Sequence, residues 1–268
     1  MKWSWKLGRF AGIDTHVHAS FLLVVLWAAW AAYSGAGTAL AMLLGVLFLL
    51  AVFGSVLLHE YGHALVARRF GIATRRITLL PIGGVAQLEG QPRTPRQELA
   101  IALAGPAVNL VIAAGIFLLG AFTGLASPYG LLGSLMIANL WLAGFNLLPA
   151  FPMDGGRALR ALLATRIGGA RATEIAVQIG KAAAFAFGIV GLFTNPFLVL
   201  VAGFVWFAAH AEGKMGRMVY GGGMYTPRRT APQVIRTPVG FVDSPGRWHP
   251  AHDRAAEVEH LIIIVGRR

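Results

Sequence analysis

His59 and His63 stand four residues apart with Glu60 beside the first, forming the pattern H-E-x-x-H. In a helix, residues four apart share a face, so both imidazoles can reach one metal ion. Glu60 can then flank that ion and move protons to and from a water held there. The setting sharpens the signal. From Thr38 to Val66 these three are the ionisable side chains apart from Tyr61. Ionisable groups in so apolar a stretch are costly and mark function by default. The structural alternative is a polar helix end with two solvated histidines.

Two histidines need at least a third protein ligand, with a position left open for water. The chain has no cysteine, so any zinc is held by His, Asp or Glu. Few carboxylates fall near the required depth: Glu60 itself, Glu98 and Asp154. Asp154 lies past Pro149 and Pro152 and before Gly155-Gly156. Prolines cannot continue a regular helix and glycines permit close backbone paths, so this segment can bend inward. Asp154 as a simple helix cap is the alternative. Glu98 opens a later apolar run beside Arg96 and is expected to be hydrated.

The elements that must position these groups follow from composition. Of 268 residues, 56% are hydrophobic and 13% charged, with mean hydropathy +0.65. A soluble domain of this size carries about 25% charged residues, so the reading is a polytopic membrane protein. Apolar runs place six transmembrane helices at about 18–33, 38–67, 99–122, 129–148, 172–193 and 196–211, with a short helix near 156–165. A basic lead covers residues 1–15, and nothing in it resembles a cleaved signal peptide. The core is therefore read as 1–211, followed by a flexible basic tail, 212–268, with one apolar run at Leu261–Val265.

The formal charge of +12 points to topology rather than to nucleic acid. Lys2, Lys6 and Arg9 lie in the lead, further basic residues between Arg68 and Arg96, others between Arg157 and Lys181, and the rest in the tail. The intervening connections near 34–37, 123–128 and 194–195 carry none. With six spans every basic segment falls on one side, which predicts both termini in the cytoplasm and a multi-pass protein of the cell membrane. Lys181, inside the fifth span, is the one exception. On this map His59 lies about 13 Å along the helix axis from the cytoplasmic Arg68, inside the bilayer but nearer that face.

His59-Glu60-x-x-His63, with Asn146-x-x-Pro149 and Asp154-Gly155-Gly156 at the end of a later helix, resembles the site-2 protease family of intramembrane zinc metalloproteases. The similarity extends from about Gly12 to Ala211 and includes Gly83-Gly84-Val85 and Gly105-Pro106-x-x-Asn109. It is greatest to the compact prokaryotic branch without an inserted PDZ domain. The resemblance implies one zinc ion held by His59, His63 and Asp154, with Glu60 as the catalytic acid and base. It implies that Asn146 contacts the substrate or helps to stabilise an oxyanion. Many relatives carry a pair of CBS domains after the last span; the tail here shows no such pattern.

The implied substrate is a transmembrane or membrane-anchored protein, whose scissile bond must be unwound before it can be cut. The stretch 77–88 reads as a cytoplasmic-side β-hairpin-like element between spans two and three. Gly83, Gly84 and Val85 within it can bind substrate as an added strand. Gly105-Pro106 is expected to kink the third span, with Asn109 bonding between helices. A metal transporter is the rival from another class. It requires polar groups continuing across the membrane, and spans one, five and six offer almost none. An inactive relative that only binds membrane helices is disfavoured by the intact Glu60, His59, His63 and Asp154.

Overall fold

The computed structural model describes residues 3–81, 83–123, 130–221, 240–242 and 248–250. Strands β1 (Ser4–Phe10) and β2 (Ile13–His18) open the chain and are followed by helices α1 (Phe21–Ala36) and α2 (Ala39–Arg69). Strands β3 (Thr74–Leu80) and β4 (Gly83–Leu88) come next, then helices α3 (Pro95–Thr123) and α4 (Leu131–Asn146). Helices α5 (Asp154–Ile167), α6 (Gly169–Thr194) and α7 (Pro196–Gly221) complete the first of two units, 1–224. In the second unit, β5 (Gly240–Val242) and β6 (Trp248–Pro250) pair as a short antiparallel hairpin. The apolar run at 261–265 lies outside the described residues.

Among the described residues, four helices are long and apolar enough to cross a membrane: α2, α3, α6 and residues 196–214 of α7. The 31 residues of α2 extend about 46 Å, well beyond a hydrocarbon core of about 30 Å. Helices α1 and α4 are apolar but have 16 residues each. Thr38 starts α2 by accepting a hydrogen bond from Ala41 N, and Gly37 ends α1 at a positive φ of 67°. Helix α7 continues past Ala211, so residues 212–221 are helical rather than part of a flexible tail. Lys181 lies inside α6 with its ammonium 5.5 Å from the Trp206 ring centroid, so an aromatic face on α7 receives the charge that broke the sequence pattern.

The packing is small inside and large outside. The buried positions of α2 are Ser55, His59, Tyr61, Gly62, Ala64 and Ala67, while Leu40, Leu43, Leu47, Leu50 and Leu58 face outward. Helix α3 is central: it packs against α2, α4 and α5. At Gly62 a Cβ would press on the Ala104 carbonyl oxygen at 2.7 Å, so this glycine sets the approach of α2 to α3. Pro106 is buried within α3, which is assigned as one helix through it.

The hairpin expected at 77–88 is present, but it is half of a larger sheet. The strand order is β1-β2-β3-β4, antiparallel at both outer pairs and parallel between β2 and β3. Residues 4–18, read as the basic lead and the start of the first span, therefore form two strands that the sequence reading left unassigned, and the expected six helices with one hairpin become helices with a four-stranded sheet. Parallel neighbours need a crossover, and α1 with α2 supplies it. The inward residues Ile13, Thr15 and Val17 of β2 alternate with more exposed ones, as a half-buried strand requires. Ile13 and Ile77 pack on Tyr61 and Ala64 of α2.

Polar bonds fix the sheet to that helix. The Tyr61 hydroxyl donates to the Phe10 carbonyl at 3.3 Å, so the Thr15 hydroxyl donates to it at 2.7 Å. Arg68 Nη1 donates to the Ala11 carbonyl at 2.9 Å. Tyr61→Phe removes the shared oxygen and leaves the fully buried Thr15 hydroxyl unpaired, a cost of about 1–3 kcal/mol. Amide hydrogen exchange across Ser4–His18 should accelerate in that variant while α3 and α4 keep wild-type protection.

Candidate metal centre

Three side chains from two helices converge. His59 and His63 come from successive turns of α2, and Asp154 is the first residue of α5. Asp154 Oδ2 lies 3.0 Å from His59 Nε2 and 3.1 Å from His63 Nε2, and the two ring nitrogens are 3.1 Å apart. His59 and Asp154 are buried, and the His63 side chain is 13% exposed.

The donor set suits a cation. His63 Nδ1 faces the Ile101 carbonyl at 2.7 Å. A carbonyl only accepts, so Nδ1 carries a proton, and in the neutral ring that a metal requires the Nε2 lone pair points at Asp154. A carboxylate oxygen and an imidazole lone pair at 3.1 Å repel unless a positive charge lies between them. A tetrahedral zinc ion with ligands at about 2.0–2.1 Å holds them about 3.3 Å apart, close to the spacing seen here. Among the described residues these three form the one such group, and it can hold one metal ion.

Glycines make the space. A Cβ on Gly105 of α3 would stand 2.6 Å from His59 Nε2 and closer still to His63 Nε2. Any side chain there would fill the position between the ligands. The turn that carries Asp154 inward is equally tight, with no room for a Cβ at Gly155 beside the Leu147 and Leu148 carbonyls. Phe151 in this turn is fully buried against Ala176, Val177 and Ala209 of α6 and α7. The proline- and glycine-rich segment therefore does bend Asp154 toward the histidines, as its composition suggested.

Glu98 is not hydrated. Its carboxylate is paired with Arg160 of α5, and both side chains are largely buried. Arg160 also reaches Glu212 of α7 at 3.4 Å and lies over the Phe151 ring. Burial of a carboxylate demanded a partner that charge counting along the sequence could not assign. Glu98 thus anchors the helix that carries Asp154.

Glu60 follows His59 by one residue and is turned toward the sheet. Gly84 of β4 lies against it: a Cβ there would stand 3.0 Å from Glu60 Oε1. The three residues singled out in the hairpin are thus at the outer strand, with Gly83 at φ 137° and Val85 49% exposed. Asn146 sits at the last position of α4, where its amide donates to Leu142 O at 2.9 Å in its own helix. Among the described hydrogen bonds it makes none with the His–Asp group.

Sequence reasoning missed Asn139 and Ser55. The fully buried Asn109 of α3 bonds His59 Nδ1 at 2.5 Å and donates from Nδ2 to Asn139 Oδ1 at 2.9 Å. Asn139 of α4 in turn donates to Ser55 Oγ at 3.1 Å, one helical turn before His59. An Asn in the middle of an apolar helix was the available signal.

A bundle of apolar helices thus carries an H-E-x-x-H helix and a convergent aspartate that can together hold one metal ion. Comparison with known proteins agrees. The profile of peptidase family M50 matches residues 47–127 and 121–187, more than half of the chain. A zinc metalloprotease of Methanocaldococcus jannaschii is 39% identical over 217 residues, covering 80% of this chain and 62% of that protein. The structure of the site-2 protease from Methanocaldococcus jannaschii superposes with a TM-score of 0.58 at 38% identity, over 79% of this chain and 95% of that one. The chain belongs to peptidase family M50, the site-2 protease family. It spans less than two thirds of that curated relative's length.

Replacing Asp154 with Asn keeps an oxygen donor but removes the negative charge. Asp154→Asn protein should purify with markedly less zinc than wild type. Glu98→Gln should keep its zinc but melt at lower temperature. Full zinc in the first variant with loss in the second would show the third ligand to be misassigned.

Proposed function

We propose that this chain is an intramembrane zinc endopeptidase that hydrolyses peptide bonds of membrane-anchored proteins within or near the bilayer, as in regulated intramembrane proteolysis. The observation that carries the reading is the convergence of His59, His63 and Asp154, with Glu60 alongside, inside a bundle of apolar helices. Membership of family M50 and similarity to a zinc metalloprotease support it. In this reading His59, His63 and Asp154 hold one zinc ion, which supplies Lewis acidity and makes a bound water acidic near neutral pH.

The remaining steps belong to the chain's own residues. Glu60 takes a proton from the attacking water and passes one to the leaving amine. Asn146 donates to the developing oxyanion once its amide turns from Leu142 O, a contact often worth several kcal/mol. Strand β4 is the outer strand of its sheet and lies beside Glu60 at Gly84. An unwound substrate segment adds to that edge through Gly83, Gly84 and Val85, regaining the backbone bonds it lost on leaving its helix.

In the membrane arrangement that goes with this reading, α1, α2, α3, α4, α6 and α7 are the six spans. The sheet and both termini are cytoplasmic in the cell membrane, and the core of 1–211 precedes a basic appendage, 212–268. The basic segments gathered on one side support it. Reporters fused after Gly35 and Ser127 should report the outer side, and those after Arg93 and Arg166 the cytoplasm. A single reporter on the other side overturns the arrangement.

Glu60→Gln retains the side chain's shape but has no basic oxygen. Purified variant protein should keep wild-type zinc content and lose cleavage of a membrane-anchored substrate by orders of magnitude. Substantial residual turnover would remove Glu60 from the mechanism.

A further inference from the structure

Each metal-facing imidazole must keep its Nε2 lone pair free, and the two do so by different means. His63 donates from Nδ1 directly to a backbone carbonyl. Among the described residues His59 has no carbonyl partner; its Nδ1 faces the side-chain oxygen of Asn109. An Asn amide can present either an oxygen or an NH2 group, so Asn109 by itself leaves the His59 proton undecided.

The groups behind Asn109 decide it. Asn139 bonds both Leu135 O, at 2.9 Å, and Ser55 Oγ. Leu135 O only accepts, so the Asn139 NH2 must face it and the Asn139 oxygen must face Asn109. The Ser55 hydroxyl spends its proton on Ala51 O at 3.2 Å and accepts from Asn139. Asn109 must therefore offer its NH2 to Asn139 and its oxygen to His59. His59 Nδ1 must then donate, and its Nε2 is bare toward Asp154. Asn109 and Asn139 are fully buried and Ser55 is 4% exposed, so water does not substitute for any link.

We propose that Asn139, on a helix that supplies no ligand, is a positioning residue for the metal: through Asn109 it fixes the proton of His59 on Nδ1. The chain runs in one direction, from His59 through α3 and α4 to backbone carbonyls of α4 and α2. This inference rests on the zinc site proposed above.

The test uses the full-length protein in detergent, with zinc affinity measured by chelator competition and the ring N–H of His59 observed by 15N-histidine NMR in the zinc-loaded state. Asn139→Leu frees the Asn109 amide to turn its NH2 toward His59. Zinc affinity should fall tenfold to a hundredfold, as for loss of other groups that orient ligands, and the hydrogen-bonded Nδ1–H signal should be lost. Ser55→Ala removes a buried hydrogen bond from the same network but leaves Leu135 O to orient Asn139. It should keep zinc affinity within about threefold of wild type and retain the Nδ1–H signal. Asn139→Asp, neutral at this depth, accepts from Asn109 and donates to Leu135 O, and should behave as wild type even where the leucine variant fails to fold. Wild-type affinity in Asn139→Leu overturns the proposal. Equal losses in the leucine and Ser55→Ala variants, or loss in Asn139→Asp, also overturn it by pointing to packing instead of polarity. If wild-type protein itself takes up no zinc, the site reading fails, and the inference that rests on it fails with it.

Discussion

Three hydrogen-bond acceptors held about 3 Å apart inside an apolar bundle are the constraint on which the rest of the structure depends. Such a group is unfavourable until a cation neutralises it, and the surrounding chain must hold it in place regardless. Two ligands on one helix share their placement, because residues four apart lie on the same face. The third arrives from another helix and needs its own support. That support is the buried Phe151 beneath the turn and the Arg160 ion pairs that tie α5 to α3 and α7.

Close approach is the second requirement, and it explains where the small residues are. Between lipid-facing helices, association comes from packing and from buried hydrogen bonds, not from burial of apolar surface away from water. Helix α3 meets α2 through Gly62 and Gly105, and these contacts bring α3 against the histidines. The same closeness lets Asn109 and Asn139 reach across to His59 and Ser55. Polar cross-links and glycine contacts thus fall at one level of the bundle, where displacement of a helix would disturb the metal ligands.

Much of this was legible in the sequence, for identifiable reasons. The i,i+4 histidines, the flanking carboxylate and the proline-glycine break before Asp154 are local features whose geometry follows from backbone rules. Among the described residues, the six long helices were legible as apolar runs bounded by charge or turns and α5 as a short helix near 156–165, although ends shifted by a few residues and α7 ran ten residues further. The N-terminal strands were not assigned, although Ile13, Thr15 and Val17 alternate with more polar neighbours. Exposed Trp3, Trp5 and Leu7 blurred the pattern in β1, and a parallel partner 60 residues away leaves no local trace. Glu98 was misjudged because its partner lies in another helix, and the role of Asn139 depends on a contact with no sequence signature.

The order of residues within H-E-x-x-H carries a further consequence in this fold. Consecutive residues of a helix point about 100° apart, so Glu60 cannot share the direction of His59. The histidines face α3 and α5, where the third ligand and the orienting amides are. Glu60 faces the sheet, where Gly84 leaves room for its carboxylate. Glu60 therefore flanks the metal group on the side bounded by the outer strand. A bulkier residue at Gly84 would push the strand from the helix or the carboxylate from its place. Under the proposed function, the strand that receives the substrate and the carboxylate that moves its protons are set by the same contact, so the scissile bond is located relative to Glu60 by backbone geometry.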